Sequence, residues 1–191
     1  MTSYRPIFPL VSSEVEMPLR ARRLSVSRPR STRTGLFLML LLFTVPAIAK
    51  DRLGIYQSWV AFRDPETPRC YAISSPEEVV GTATLKPYLS IGFWPKSGVT
   101  HQIYVRLSRE RSSNSGITLS VGGRRFRLTP NGSGGWAADR ETDLAIVAAM
   151  RSANALSIES LDRNGRPIVD AYQLRGAPSA IDAAALGCVR S

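Results

Sequence analysis

Between residues 102 and 128, apolar and polar side chains trade places with a period of two. In Gln102–Ser108 the apolar Ile103, Val105 and Leu107 alternate with Gln102, Tyr104, Arg106 and Ser108. Ile117, Leu119 and Val121 alternate with Thr118 and Ser120, and Phe126 and Leu128 with Arg125 and Arg127. This alternation predicts antiparallel strands with one face in a core and the other in water. Gly122-Gly123 separates the second run from the third. Two consecutive glycines can both take the positive φ that a two-residue hairpin turn demands, so a hairpin is expected there. Ile55–Phe62, Cys70–Ser74, Tyr88–Trp94 and Leu156–Leu161 also read as strands. Asp162-Arg163-Asn164-Gly165 has the composition of a turn, and Ile168–Leu174 returns from it. Asn131-Gly132-Ser133-Gly134-Gly135 reads as a flexible loop. Trp59 and Trp94, at strand positions, are assigned to the core. Trp136, beside the glycines, is assigned to the surface.

Two segments lose the two-residue period. Asp139 can cap a helix through its carboxylate, and Leu144–Met150 follows as a run apolar nearly all round, expected to be largely buried. Asn154 is a plausible stop. A second helix opens at Pro178, carries a stripe of Ile181, Ala184 and Ala185, and is expected to end at Gly187. Seven or so short strands with two short helices in the C-terminal half predict a mainly β chain, an antiparallel β-sandwich.

The start of the chain follows a different pattern. Arg20, Arg22, Arg23, Arg28, Arg30 and Arg33 precede the apolar Leu36–Val45; Pro46 breaks that run, and Ala47-Ile48-Ala49 offers small residues for a peptidase. Residues 1–49 therefore read as a signal peptide region cleaved between Ala49 and Lys50. The apolar run is shorter than the roughly 20 residues a span needs, so no stable membrane span is expected after cleavage. Glu14 and Glu16 are unusual in such a leader, and Met17 offers a more ordinary start. Residues 50–191 then form a single domain. The leader carries half of the formal net charge of +10. The high isoelectric point is thus only partly a property of the mature domain.

Composition excludes whole chemistries. One His and two Cys leave a His/Cys zinc cluster without ligands, so no metal and no cofactor are expected. In an exported chain an even cysteine count favours a disulfide, here Cys70 with Cys188. No Gly-x-Ser-x-Gly elbow accompanies His101, which reads as a surface histidine. The carboxylates are scattered, and Asp139, Glu141 and Asp143 suit the start of a helix without any catalysis. No catalytic residues are assigned.

The order of segments in the C-terminal half carries a resemblance. Asp143–Met150 is followed by Leu156-Ser157-Ile158-Glu159-Ser160, then Asn164-Gly165-Arg166-Pro167-Ile168. Tyr172-Gln173-Leu174-Arg175-Gly176-Ala177 and Ala180-Ile181-Asp182-Ala183-Ala184 close it. This succession of helix, strand, Gly-containing turn, strand ending in Leu-x-Gly and Ala-rich helix resembles the invasion-associated locus B family of alphaproteobacterial periplasmic proteins. Trp59 and Arg69-Cys70-Tyr71-Ala72-Ile73 look like that family's opening strands. The resemblance implies an immunoglobulin-like β-sandwich in the cell envelope. It brings no catalytic residues. Many members carry mid-chain cysteines, and here that region is Trp136-Ala137-Ala138.

Charge adds the one candidate surface. From Arg106 to Arg127, the arginines Arg106, Arg109, Arg111, Arg124, Arg125 and Arg127 stand against Glu110 alone. Arg106, Arg125 and Arg127 hold the polar phase of their strands and are expected to share an anion-binding face. Its partners would be anionic lipid, glycan or protein of the envelope; export argues against nucleic acid. The expected function is an exported, non-enzymatic envelope binding or structural module, with a periplasmic carboxylate-based hydrolase as the alternative.

Overall fold

The computed structural model describes residues 50–189; the leader, with its cleavage point at Ala49 and its second start at Met17, lies outside the described residues. The described chain is mainly β. In order, its strands are β1 (Asp51–Tyr56), β2 (Trp59–Asp64), β3 (Arg69–Ser74), β4 (Glu78–Val79), β5 (Tyr88–Trp94), β6 (Val99–Arg106), β7 (Ile117–Val121), β8 (Arg124–Asn131) and β9 (Gly134–Trp136). Helix α1 (Arg140–Ser152), β10 (Ala155–Leu161), β11 (Pro167–Gln173) and α2 (Ala177–Val189) complete it. All pairings are antiparallel, in the order β1-β2-β3-β5-β6-β9-β8-β7-β10-β11-β4.

Strand β8 turns one sheet into two layers. Arg124–Leu128 pairs with β7, and Thr129–Asn131 pairs with β9. The inward phases of both halves meet in one core. Trp59, Leu89, Ile91, Ile103, Val105 and Leu107 come from one half, and Ile117, Leu119, Leu128, Ile158, Ile168 and Tyr172 from the other. Two hydrogen bonds tie the layers: Trp59 Nε1 donates to the Gln173 carbonyl at 2.8 Å, and the Ser108 amide donates to Asp170 Oδ2 at 2.9 Å. These features make the fold an antiparallel β-sandwich.

The predicted hairpin forms, with Gly122 and Gly123 at φ 56° and 75° and Ser120 opposite Arg125. Asp139 caps α1, accepting the Thr142 amide at 2.7 Å. Helix α2 lies on the inner face of β1, β2, β3 and β5 with Ala177, Ala180, Ile181 and Ala184 buried. Cys188 on α2 is bonded to Cys70 on β3, their Cα atoms 5.7 Å apart.

Several expectations are corrected. Ile55–Phe62 is not one strand. Gln57 takes φ 56° and turns the chain between β1 and β2, a role no Gly, Pro or Asn announces. Asn131–Gly135 is not a loose loop, because only Gly132-Ser133 turn and Gly134-Gly135 enter β9 between β6 and β8. A Cβ on Gly134 would lie 2.5 Å from the Val105 carbonyl oxygen, so the glycine is there for close approach. Gly187 does not end α2. It sits against Leu53 of β1, where a side chain would collide, and the helix runs on to Val189. Leu144 of α1 is exposed, although its neighbours Ile146 and Val147 are buried.

Candidate functional site

Arg125 and Arg127 point outward from β8, both exposed, as the alternation requires. Arg106 is exposed on the outer side of its own layer, at the end of β6. It lies opposite Gly134, which lies opposite Asn131 of β8. Strand β9 therefore separates Arg106 from β8, and Arg127 stands further along β8, past the point where that strand changes partner. All three arginines face outward, but Arg106 belongs to one layer and Arg125 and Arg127 pair into the other, so they do not form the single face expected. Arg125 is also paired with Glu159 of β10 at 3.1 Å, which offsets part of its charge.

Two other arginines of the basic run are structural. Arg109 is largely buried; its guanidinium bonds Asp162 at 2.9 Å, the Val80 carbonyl at 3.2 Å and the Pro167 carbonyl. Arg111 gathers the carbonyls of Ser112, Ser113, Ser115 and Gly132. The charge surplus in the sequence thus overstates what is presented to a ligand.

The buried carboxylates, Asp64, Asp143, Asp162 and Asp170, each hold a backbone amide. Asp143 of α1 accepts the Ile103 amide at 2.8 Å. Strand β9 reaches only to Tyr104, so the Ile103 amide, one residue beyond, has no strand partner there. Burial pushes the Asp143 carboxyl up to about 6, against the pull of that amide. Asp170 is fully buried, and burial raises it too, with Ser108 and Arg109 opposing. The amides these two acids hold, Ile103 and Ser108, are separated by five residues of extended chain, roughly 16 Å. A hydrolytic carboxylate pair needs about 5–9 Å. Asp162 organises its own turn: burial pushes it up, but the amides of Arg166 and Asn164, both 2.9 Å away, and the Arg166 guanidinium hold it below the usual carboxylate value.

His101 is not a surface histidine. It is half-buried in β6 at φ 59°, where the pairing of β5 with β6 slips between Gly92 and Trp94. Its ring meets Phe93 edge-on at 4.8 Å. Burial and then Arg151 hold its imidazole below the ordinary value, with Asp182 acting the other way.

Sequence reasoning missed a second outward feature. Trp59 is core, as expected, but Trp94 is not. It shares the phase of Tyr88, Ser90 and Gly92, opposite to buried Leu89, Ile91 and Phe93. That phase was the available signal. Trp94 folds its ring back over Gly92, where no Cβ would fit. On the neighbouring strands Tyr104 stands opposite Trp136, their rings 4.4 Å apart, with Tyr88 5.7 Å from Tyr104. These half-buried rings wall a cleft of about 370 Å³ whose floor includes Ser90 and Gly92 and whose rim includes Lys50 and Arg69. Both cations contact Asp64, at 3.5 and 3.3 Å.

Among the described residues no group of His, Cys, Asp and Glu is arranged to hold a metal, and no helix is long and apolar enough to cross a membrane. Comparison with family models, with curated proteins and with solved structures returned no match for this chain.

Proposed function

We propose that the protein is an exported, non-enzymatic binding module of a Gram-negative cell envelope, of the invasion-associated locus B type and with that family's immunoglobulin-like β-sandwich. It contacts anionic envelope components through the outer side of its sheet. The observation that carries the reading is the outward, exposed placement of Arg125 and Arg127 on β8, with Arg106 also exposed on the outer surface of the other layer. The Cys70–Cys188 bond supports an oxidising compartment, periplasmic or secreted. The cleavable leader read from residues 1–49 supports export. The hydrolase alternative has no observation in its favour, since Asp143 and Asp170 each hold a backbone amide.

The test is sedimentation with vesicles containing phosphatidylglycerol. Exposed guanidinium–phosphate contacts are screened by salt, so binding falls as salt rises through the physiological range. Replacing Arg125 and Arg127 together by Gln removes most of the binding and leaves the Tm nearly unchanged, because exposed charges contribute little to folding. Binding that ignores salt, or that survives in the double variant, sinks the reading.

A further inference from the structure

We propose that the cleft between Trp94, Tyr104 and Trp136 binds a carboxylate-bearing polysaccharide, a chain of uronic acid units. The proposal deepens the binding-module reading and rests on it for the presence of such a ligand, but apart from Arg106 it uses different residues.

The first ground is the presentation of the rings. Trp94 lies back over Gly92, and Tyr104 covers Gly134, where a Cβ would come 2.6 Å from its hydroxyl. The rings of Trp94, Tyr104 and Trp136 are half-buried and line the cleft. Sugar rings carry patches of C–H groups that pack on aromatic rings, and aromatic side chains bury large apolar area at little conformational cost. The second ground is continuity. Tyr88, Tyr104 and Trp136 sit on three consecutive strands, β5, β6 and β9, so the rings step across the sheet and suit an extended chain rather than a single small molecule. The third ground is charge. Lys50 and Arg69 line the cleft, and no carboxylate does. Asp64 holds both cations from a buried position, 4% exposed on its side chain, so it orients them without facing the ligand. Arg106 adds a further cation beside Tyr88, across the β5–β6 pairing. A guanidinium fork matches a carboxylate in geometry as well as in sign. A neutral glycan would use the rings and leave the cations idle; an acidic one uses both.

The experiment titrates the full-length protein with an oligogalacturonate and, in parallel, with its methyl ester of equal length, whose carboxylates are neutralised. Tryptophan fluorescence reports binding, since Trp94 and Trp136 are the half-buried indoles and Trp59 is fully buried. The oligogalacturonate should bind saturably and the ester at least tenfold more weakly. Trp94→Leu and Trp136→Leu should each weaken binding about tenfold or more, and Arg69→Gln should reduce the preference for the acid over the ester. Should a tryptophan variant fail to fold, the unaltered protein still decides: bound oligogalacturonate should shield its indoles from acrylamide quenching. No saturable binding, equal binding of acid and ester, or full binding by both folded tryptophan variants would overturn the proposal. The Arg125→Gln, Arg127→Gln double variant should keep oligogalacturonate binding, and Trp136→Leu should keep vesicle binding. Failure of the cleft is thereby told apart from failure of the arginine face.

Discussion

Asp143 shows how a single side chain can serve the backbone at an electrostatic cost. It accepts the Ile103 amide that β9 stops short of, and it does so while buried. Its folded pKa of about 6 lies above its ordinary value of 3.8. The folded protein therefore binds this proton more tightly than the unfolded chain does. The associated stability is fully present below about pH 4 and is lost as pH rises through about 6. Asparagine keeps a carbonyl for the amide and cannot ionise. Between pH 4 and pH 7 the Asp143→Asn variant should gain about 2–3 kcal/mol relative to the native protein. Urea unfolding of both proteins at the two pH values measures this, and a difference independent of pH contradicts it.

Strand β9 is three residues long, yet it joins the two halves of the sheet between β6 and β8. Its glycines allow that approach. A Cβ on Gly134 would lie 2.5 Å from the Val105 carbonyl oxygen, a backbone atom with little room to move. Gly134→Ala should therefore cost about 1–3 kcal/mol, as overpacking in a tight interior does. Gly116→Ala is the control. That position is exposed, and a Cβ placed there would meet nothing within 4 Å, so its change should stay within about 0.5 kcal/mol. Chemical denaturation of the two variants compares them directly. Equal stabilities would mean that β9 is not held closely against β6.

The disulfide acts on the whole molecule. Cys70 and Cys188 are separated by 118 residues, so the bond closes nearly the entire described chain into a loop. In the chain-entropy account a loop of that length contributes about 4–5 kcal/mol by restricting the unfolded state. The bond also pins the last turn of α2 to β3, where the helix covers the inner face of β1, β2, β3 and β5. Reduction, or Cys188→Ser with Cys70→Ser, should lower the Tm by on the order of 10 °C. Calorimetry with and without reductant measures the shift, and an unchanged Tm with both thiols shown to be free would count against it.

Features that depend on near neighbours were legible in the order of residues alone. Alternation placed Ile103, Val105, Ile117 and Leu119 in the core and Arg125 and Arg127 in water, because strand side chains must point to opposite faces in turn. Gly122-Gly123 specified its hairpin through positive φ, and Asp139 its helix start through a free carboxylate. The cysteine pair followed from an even count in a chain whose leader reads as an export signal. Features that depend on distant partners emerge only when the chain is folded. The separation of Arg106 from Arg127 comes from β9 and from the change of partner along β8, neither of which leaves a local signature. Arg109 and Arg111 read as surface charge until the carbonyls that hold them are placed. The aromatic cleft needs Tyr88, Tyr104 and Trp136 from three strands in register, and register is set by pairing between segments far apart in the chain.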